Sequence, residues 1–172
     1  IPLPREASIR AVHGLAASDV TVELPEPAGP LAGIVRETMA PFTSGSKGRY
    51  CIRFCLLDGS SDSCPAALAI RLKALPNADQ AYAVVPEGSG GSFTGLSVYS
   101  ETDLGLLYGA RTLRQMMLPS LRGNQQGETE VEVPELTLVD WPDIGERGQW
   151  GGSASTDLAW LAERKFNVVE YA

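Results

Sequence analysis

Hydrophobic and polar positions change period several times along this chain of 172 residues. Residues 20–24 (VTVEL) alternate apolar and polar, the period of a strand with one buried face. Pro25, Pro27 and Gly29 interrupt that pattern, and Pro30 suits the first turn of a helix. Leu31, Ile34, Val35, Thr38, Met39 and Phe42 then recur at helical spacing, a stripe that would pack on a sheet. Pro41 and the Gly-containing stretch 45–48 end it. Residues 50–57 (YCIRFCLL) read as a strand and 58–62 (DGSSD) as a turn. The apolar segment 66–75 fits a strand or a helix, and the strand is the reading favoured. Residues 80–85 and 93–99 read as the two strands of a hairpin joined through 88–91.

The clearest helix follows. Ser100 and Asp103 resemble a loose capping box, and Glu101 and Asp103 suit the positive end of a helix dipole. Leu106, Ala110, Leu113 and Met117 form an apolar stripe, with Tyr108, Arg111, Thr112 and Gln115 on the other side. Gly105 and Gly109 lower helix propensity but permit close packing. Residues 130–139 form another strand, and Pro134 puts that point at an edge or a bend. After a linker at 140–145 the pattern restarts: a short strand near Arg147, a helix over 155–165, and a strand at 167–171. Strand–helix–strand is the unit of a parallel sheet. The whole predicts an α+β fold, a mainly antiparallel or mixed sheet backed by two helices over residues 1–140. Residues 141–172 carry the linker and the opening of an α/β unit.

Composition narrows the function classes. Gly 18 and Pro 12 make turns frequent, while 44% apolar residues supply an ordinary globular core. The longest apolar runs, 66–70 and 81–85 among them, are five residues, whereas a membrane span needs about 20. The net charge of −7 repels phosphate backbones and argues against nucleic acid as a partner. No basic-then-apolar leader opens the chain, and Ile1 as first residue reads as the product of a removal. A secreted or periplasmic location is favoured. The apolar ending NVVEYA reads as a truncation.

Most single candidates for chemistry have bland readings. His13 is the only histidine, so a metal or general-base role lacks a second ligand, and a surface loop position is expected. Cys51 and Cys55 would lie about 13 Å apart on one strand face, too far for a disulfide. Cys55 and Cys64 flank the 58–62 turn and either pair across it or stay as buried thiols. The Gly88–Gly91 turn opens no helix, so it is not a phosphate loop. Trp141 and Trp160 are expected to pack, and Trp150 is open between packing and sugar stacking.

Three stretches together carry a family resemblance. They are Ile1-Pro2-Leu3-Pro4-Arg5-Glu6; Gln80-Ala81-Tyr82 through Gly109-Ala110-Arg111-Thr112-Leu113-Arg114-Gln115-Met116-Met117; and Asp140-Trp141-Pro142-Asp143 followed by Arg147-Gly148. In this order and spacing the chain resembles the N-terminal accessory domain of glycoside hydrolase family 20, the β-N-acetylhexosaminidases, running into its catalytic barrel. The resemblance implies a zincin-like accessory domain, a sheet backed by two helices, followed by the first strand–helix–strand of a truncated (β/α)8 barrel. It implies removal of a terminal N-acetylhexosamine, with the sugar's acetamido oxygen as nucleophile and an Asp-Glu pair assisting, an exception to the usual two-carboxylate scheme. It also implies that Arg147, the Arg of the Arg-Gly, grips hydroxyls of the terminal sugar, for which a guanidinium fork is suited.

The machinery for that reaction is incomplete here. Residues 147–172 are 26, against about 250 for a complete barrel. No Asp-Glu dipeptide occurs in the chain. No catalytic residue, metal ligand or cofactor is therefore assigned, and the expected partners are carbohydrate, for the parent protein, and the rest of its own barrel. The family usually has an Asp five residues beyond that Arg, where this chain has Gly152. Accessory domains of family 84 or family 67 glycosidases remain alternatives, as does a non-catalytic carbohydrate-binding or interaction module.

Overall fold

Long alternating strands assemble into one mixed sheet. The computed structural model describes residues 3–43, 48–57, 64–89, 91–125, 127–150 and 157–170. In chain order the elements are β1 (Glu6–Ala16), β2 (Val20–Glu23), α1 (Ala32–Met39), β3 (Tyr50–Leu56), α2 (Ala66–Lys73), β4 (Tyr82–Ser89), β5 (Ser92–Ser100), α3 (Asp103–Met117), β6 (Arg122–Gly123), β7 (Thr129–Asp140), β8 (Gly148–Trp150), α4 (Leu158–Glu163) and β9 (Val168–Glu170). The sheet order is β1-β7-β4-β5-β3-β2, with β6 on β7. Pairing is antiparallel from β1 to β5 and parallel from β5 through β3 to β2. This is the expected mixed α+β sheet. Pro134 faces Val12 on β1, and β7 meets β4 only at residues 138–140, so the missing N–H lies outside that pairing.

The period-2 alternation divides the core in two. Tyr82, Val84, Leu96, Val98, Ile52, Phe54, Leu136 and Leu138 meet Val35, Met39, Leu106, Ala110, Leu113 and Met117 of α1 and α3 on one face. The neighbouring positions Cys55, Leu57, Ala81, Ala83, Tyr99 and Val139 meet Leu72 of α2 on the other. The helical layer is thus not one pair of helices: α1 and α3 back one face and α2 covers part of the opposite one. The strand reading of 66–75 is corrected by this helix. Its Ala-rich sequence favours helix, Pro65 stands at the N-cap, and Arg71 and Lys73 suit the last turn. Buried Leu72 and exposed Ile70 show the helical face that a run of apolar residues had hidden.

Three local readings change with tertiary contact. Thr102, rather than Ser100, caps α3, its Oγ1 accepting from Gly105 N at 3.2 Å. Ser100 is buried and donates to Ala81 O at 2.7 Å. Tyr108 and Thr112, assigned to the outer side of α3, are buried. His13 lies in β1 rather than a loop, with Nε2 3.1 Å from Glu135 Oε2 and its ring stacked on Phe93 at 4.4 Å. Cys51, Cys55 and Cys64 are free thiols, so the Cys55–Cys64 bridge is not made. Burial pushes the Cys51 thiol up to about 11. The 58–62 turn and Gly152 lie outside the described residues, as do Ser155 and the side chain of Trp150. Among the described residues no helix is long and apolar enough to cross a membrane.

Close approach makes Gly105 obligatory. A Cβ there would stand 1.9 Å from Ser100 Oγ and 2.6 Å from Ala81 O, while one on Gly33 of α1 would meet nothing within 4 Å. Gly105→Ala is expected to lose about 1–3 kcal/mol by overpacking, despite its gain in helix propensity. Gly33→Ala is expected to be neutral or stabilising by up to about 1 kcal/mol. Urea unfolding of both variants checks the contrast.

Candidate functional site

The start of β4 and the end of β7 lie side by side, which puts Tyr82 opposite Asp140 in the antiparallel register. Positions 108 and 112 share one face of α3, and that face looks onto the same place. Lys165, just beyond α4, completes the cluster. Tyr82 Oη is 2.7 Å from Asp140 Oδ2 and 2.6 Å from Thr112 Oγ1. Lys165 Nζ donates to Tyr82 Oη at 2.8 Å and to Asp140 Oδ2 at 3.2 Å. One phenolic proton goes to the carboxylate, so Thr112 and Lys165 are the donors to Tyr82 Oη. Every polar atom named has a partner, as burial of such a network requires.

Burial sets the proton affinities. It holds the Lys165 ammonium below the usual lysine range, and Asp140 opposes the shift. It pushes the Tyr82 phenol well up, and the neighbouring Asp140 charge pushes the same way. Lys165 has a backbone φ of 62°, the left-handed conformation that closes a helix and usually falls to glycine. A lysine there pays a backbone strain of about 1–2 kcal/mol, which the paired ammonium offsets.

Around this network lies a cavity of about 500 Å³. Tyr108, Trp141, Ile144 and Leu3 supply apolar wall, and Arg5, Arg147 and Arg164 supply charge. Arg5 pairs with Asp143, donates Nε to Trp141 O at 3.0 Å, and lies 5.1 Å over the Trp141 ring. The turn before β8 is pinned from three sides: Asn77 Nδ2 donates to Pro142 O at 2.9 Å, and Gln80 Nε2 and Asn167 Nδ2 donate to Gly145 O at 2.8 and 2.7 Å. The Tyr108 hydroxyl is buried without a hydrogen-bond partner among the described residues. Burial pushes its phenol up, and the Arg147 and Arg111 cations oppose this.

Arg147, the one residue assigned to sugar binding from sequence, sits in this cavity. It precedes β8, at the strand's N-terminal end. Its Nε donates to Lys165 O at 3.1 Å, its Nη1 donates to Ile144 O at 2.8 Å, and its guanidinium lies 5.3 Å over the Tyr108 ring. Trp141 packs as expected, against the α2-side core. Trp160 does not: it is exposed, with Arg164 3.9 Å above its ring. Both cavity aspartates are paired with cations, Asp140 with Lys165 and Asp143 with Arg5. Among the described residues no group of three His, Cys, Asp or Glu side chains is placed to hold a metal ion.

Tyr82 and Asp140 lie within the stretches that carry the family resemblance, and apart from their position at strand ends nothing in those stretches marks a role for either. Lys165 carried no signal, since a lysine after a helix is ordinarily solvated. Tyr82→Phe removes the hydroxyl that joins three partners, and a loss of about 1–3 kcal/mol at pH 7 is expected. Because the native phenol titrates above its unfolded value of about 10, the Tyr82 contribution is whole below pH 10 and fades as pH rises beyond it. Unfolding free energies of wild type and Tyr82→Phe should therefore converge in strong alkali.

No family model matches the sequence, and no curated protein does. Solved structures do resemble it. The exo-β-N-acetylglucosaminidase GH20 from Vibrio harveyi, in complex with N-acetylglucosamine, shares 15% identity over 99% of this chain and 24% of its own, with a TM-score of 0.62. CpGH84B shares 15% over 99% of this chain and 29% of its own, with a TM-score of 0.63. The Streptomyces plicatus N-acetyl-β-hexosaminidase shares 16% over 98% of this chain and 33% of its own, with a TM-score of 0.59. At such identity the likeness is one of fold. This chain spans between a quarter and a third of the length of these proteins.

Proposed function

We propose that these residues are the accessory domain and the barrel opening of a glycosidase that removes terminal N-acetylhexosamine, and that by themselves they do not hydrolyse it. The observation that carries the reading is the fold likeness over 99% of this chain to a quarter of a GH20 exo-β-N-acetylglucosaminidase. The parallel pairing of β8 with β9 around α4 supports a barrel opening after residue 140. The sheet with helices on it, over residues 1–140, is then the zincin-like accessory domain. A family 84 parent is a second reading, favoured by the TM-score of 0.63 to CpGH84B.

The chemistry supports inactivity. Departure of the leaving sugar needs a proton donor, which alone typically contributes about 10²–10⁴-fold. An acetamido group acting as nucleophile also needs a carboxylate to orient it. No Asp-Glu pair occurs in the chain, and the cavity carboxylates are already paired. The 172-residue chain is expected to release no aryl group above background from an aryl N-acetyl-glucosaminide, whereas a longer protein containing it releases the group. Turnover by the 172 residues would overturn the reading. Activity of the longer protein on glucuronides alone would move it to a neighbouring family.

In this reading we take Arg147 as a bracket between segments rather than as the sugar ligand that the family resemblance implies. Barrel enzymes build their sites at the C-terminal ends of the strands, and Arg147 stands at the other end of β8 with Nε and Nη1 donating to carbonyls. Arg147→Ala in the longer protein should lower the melting temperature by several degrees and leave KM for the aryl substrate unchanged. A raised KM with an unchanged melting temperature would restore the sugar contact.

A further inference from the structure

A second cavity, of about 260 Å³, opens between the C-terminal half of α3 and the end of α4. We propose that it binds a tetrahedral oxyanion, a phosphate or sulfate group, held by Arg111, Arg114 and Arg164. The proposal does not depend on the glycosidase reading.

The distribution of counter-charges points there. The protein carries a net charge of −7, and Arg5, Arg10, Arg49, Arg53, Arg71 and Arg122 each meet a carboxylate within ion-pair distance. Arg111, Arg114 and Arg164 line one cavity, and among the described residues none of them forms an ion pair. The single carboxylate in that wall is Glu163. Arg111 is half-buried, and loss of water pulls its guanidinium pKa down, with Tyr108 and then the Glu163 charge opposing. A guanidinium removed from water without a paired anion is costly, and a bound anion relieves the cost.

Geometry adds to charge. Arg111 and Arg114 are three residues apart and share a face of α3, and Gln115 beside them donates Nε2 to Glu163 O at 3.0 Å, which holds the end of α4 against α3. Arg164 arrives from the other side, steadied by Nη1 on Trp160 O at 3.2 Å and by the Trp160 ring beneath it. A single basic residue suffices to complement a helix dipole, so three from two elements around one cavity exceed that need. Three planar forks from two directions match an oxyanion with acceptors on every side better than a spherical halide.

The stacking of Arg164 on Trp160 provides the readout. Tryptophan fluorescence of the full chain is titrated with inorganic phosphate, inorganic sulfate, acetate and chloride at one ionic strength, with Trp160→Phe identifying the responding ring. Phosphate and sulfate are expected to give saturable changes that acetate and chloride do not. Arg111→Gln and Arg114→Gln are each expected to weaken phosphate binding about tenfold, the loss of one charged hydrogen bond, while Arg36→Gln on exposed α1 surface leaves it unchanged. N-acetylglucosamine 6-sulfate binding more tightly than inorganic sulfate assigns the anion to a sugar ester, and the reverse order assigns it to free anion. Equal responses to phosphate and chloride overturn the proposal. So does wild-type phosphate affinity in Arg114→Gln, which decides the matter even where Arg111→Gln fails to fold.

Discussion

A lysine ammonium held out of water joins the two parts of this molecule. Lys165 reaches from the end of α4 into the edge of the large sheet, where one carboxylate and one phenol receive it. Removing a charge from water costs several kcal/mol, so such a group persists only where its partners are fixed. Asp140 is fixed by the last ladder position of β7, and Tyr82 by the first position of β4. The stitch therefore depends on the register of two strands, and together with the hydrogen bonds from Asn77, Gln80 and Gln115 it places β8, α4 and β9.

That register follows from burial on both sides of the sheet. β4 and β5 carry Ala83, Val85 and Tyr99 toward α2 and Tyr82, Val84, Leu96 and Val98 toward α1 and α3. A slip by one residue would exchange the faces, placing Tyr82 among the α2 contacts and Ala83 in the larger core. Two glycines let α3 descend onto the sheet, where Gly109 would place a Cβ 2.6 Å from Val98 Cγ1 and Gly105 would strike Ser100. Because α3 sits so low, Tyr108 and Thr112, on the same side of the helix as the two glycines, reach the junction. The same helix thus serves the core with one side and the C-terminal segment with the other, and its remaining surface presents Arg111 and Arg114.

The two cavities differ in how their charges are compensated. In the larger one, Asp140 and Asp143 answer Lys165 and Arg5, and Arg147 donates Nε and Nη1 to carbonyls, so these polar groups act as mortar between segments. In the smaller one, three guanidinium groups face a space with one carboxylate. The first arrangement suits a packed junction beside a larger catalytic body. The second suits an exchangeable anion. Arg164 borders both, so an anion in the smaller cavity would act on the wall of the larger one.

The sequence by itself determined most of the framework. Alternation placed the strands around residues 20–24, 50–57, 80–85, 93–99 and 130–139, and each was found, since period-2 burial is a local property of the chain. The stripe Leu106, Ala110, Leu113 and Met117 likewise marked the buried face of α3. The tertiary structure alone decided three matters. Residues 66–73 became helix because the sheet offered a face for Leu72 and solvent for Ile70, a distinction invisible in an unbroken apolar run. His13 became a strand residue because β7 supplied its ladder partner Val133 from the far end of the chain. Lys165, Tyr82 and Asp140 became one network because charge compensation depends on distance in space, and their separations of 83 and 25 residues leave no periodic trace in the chain.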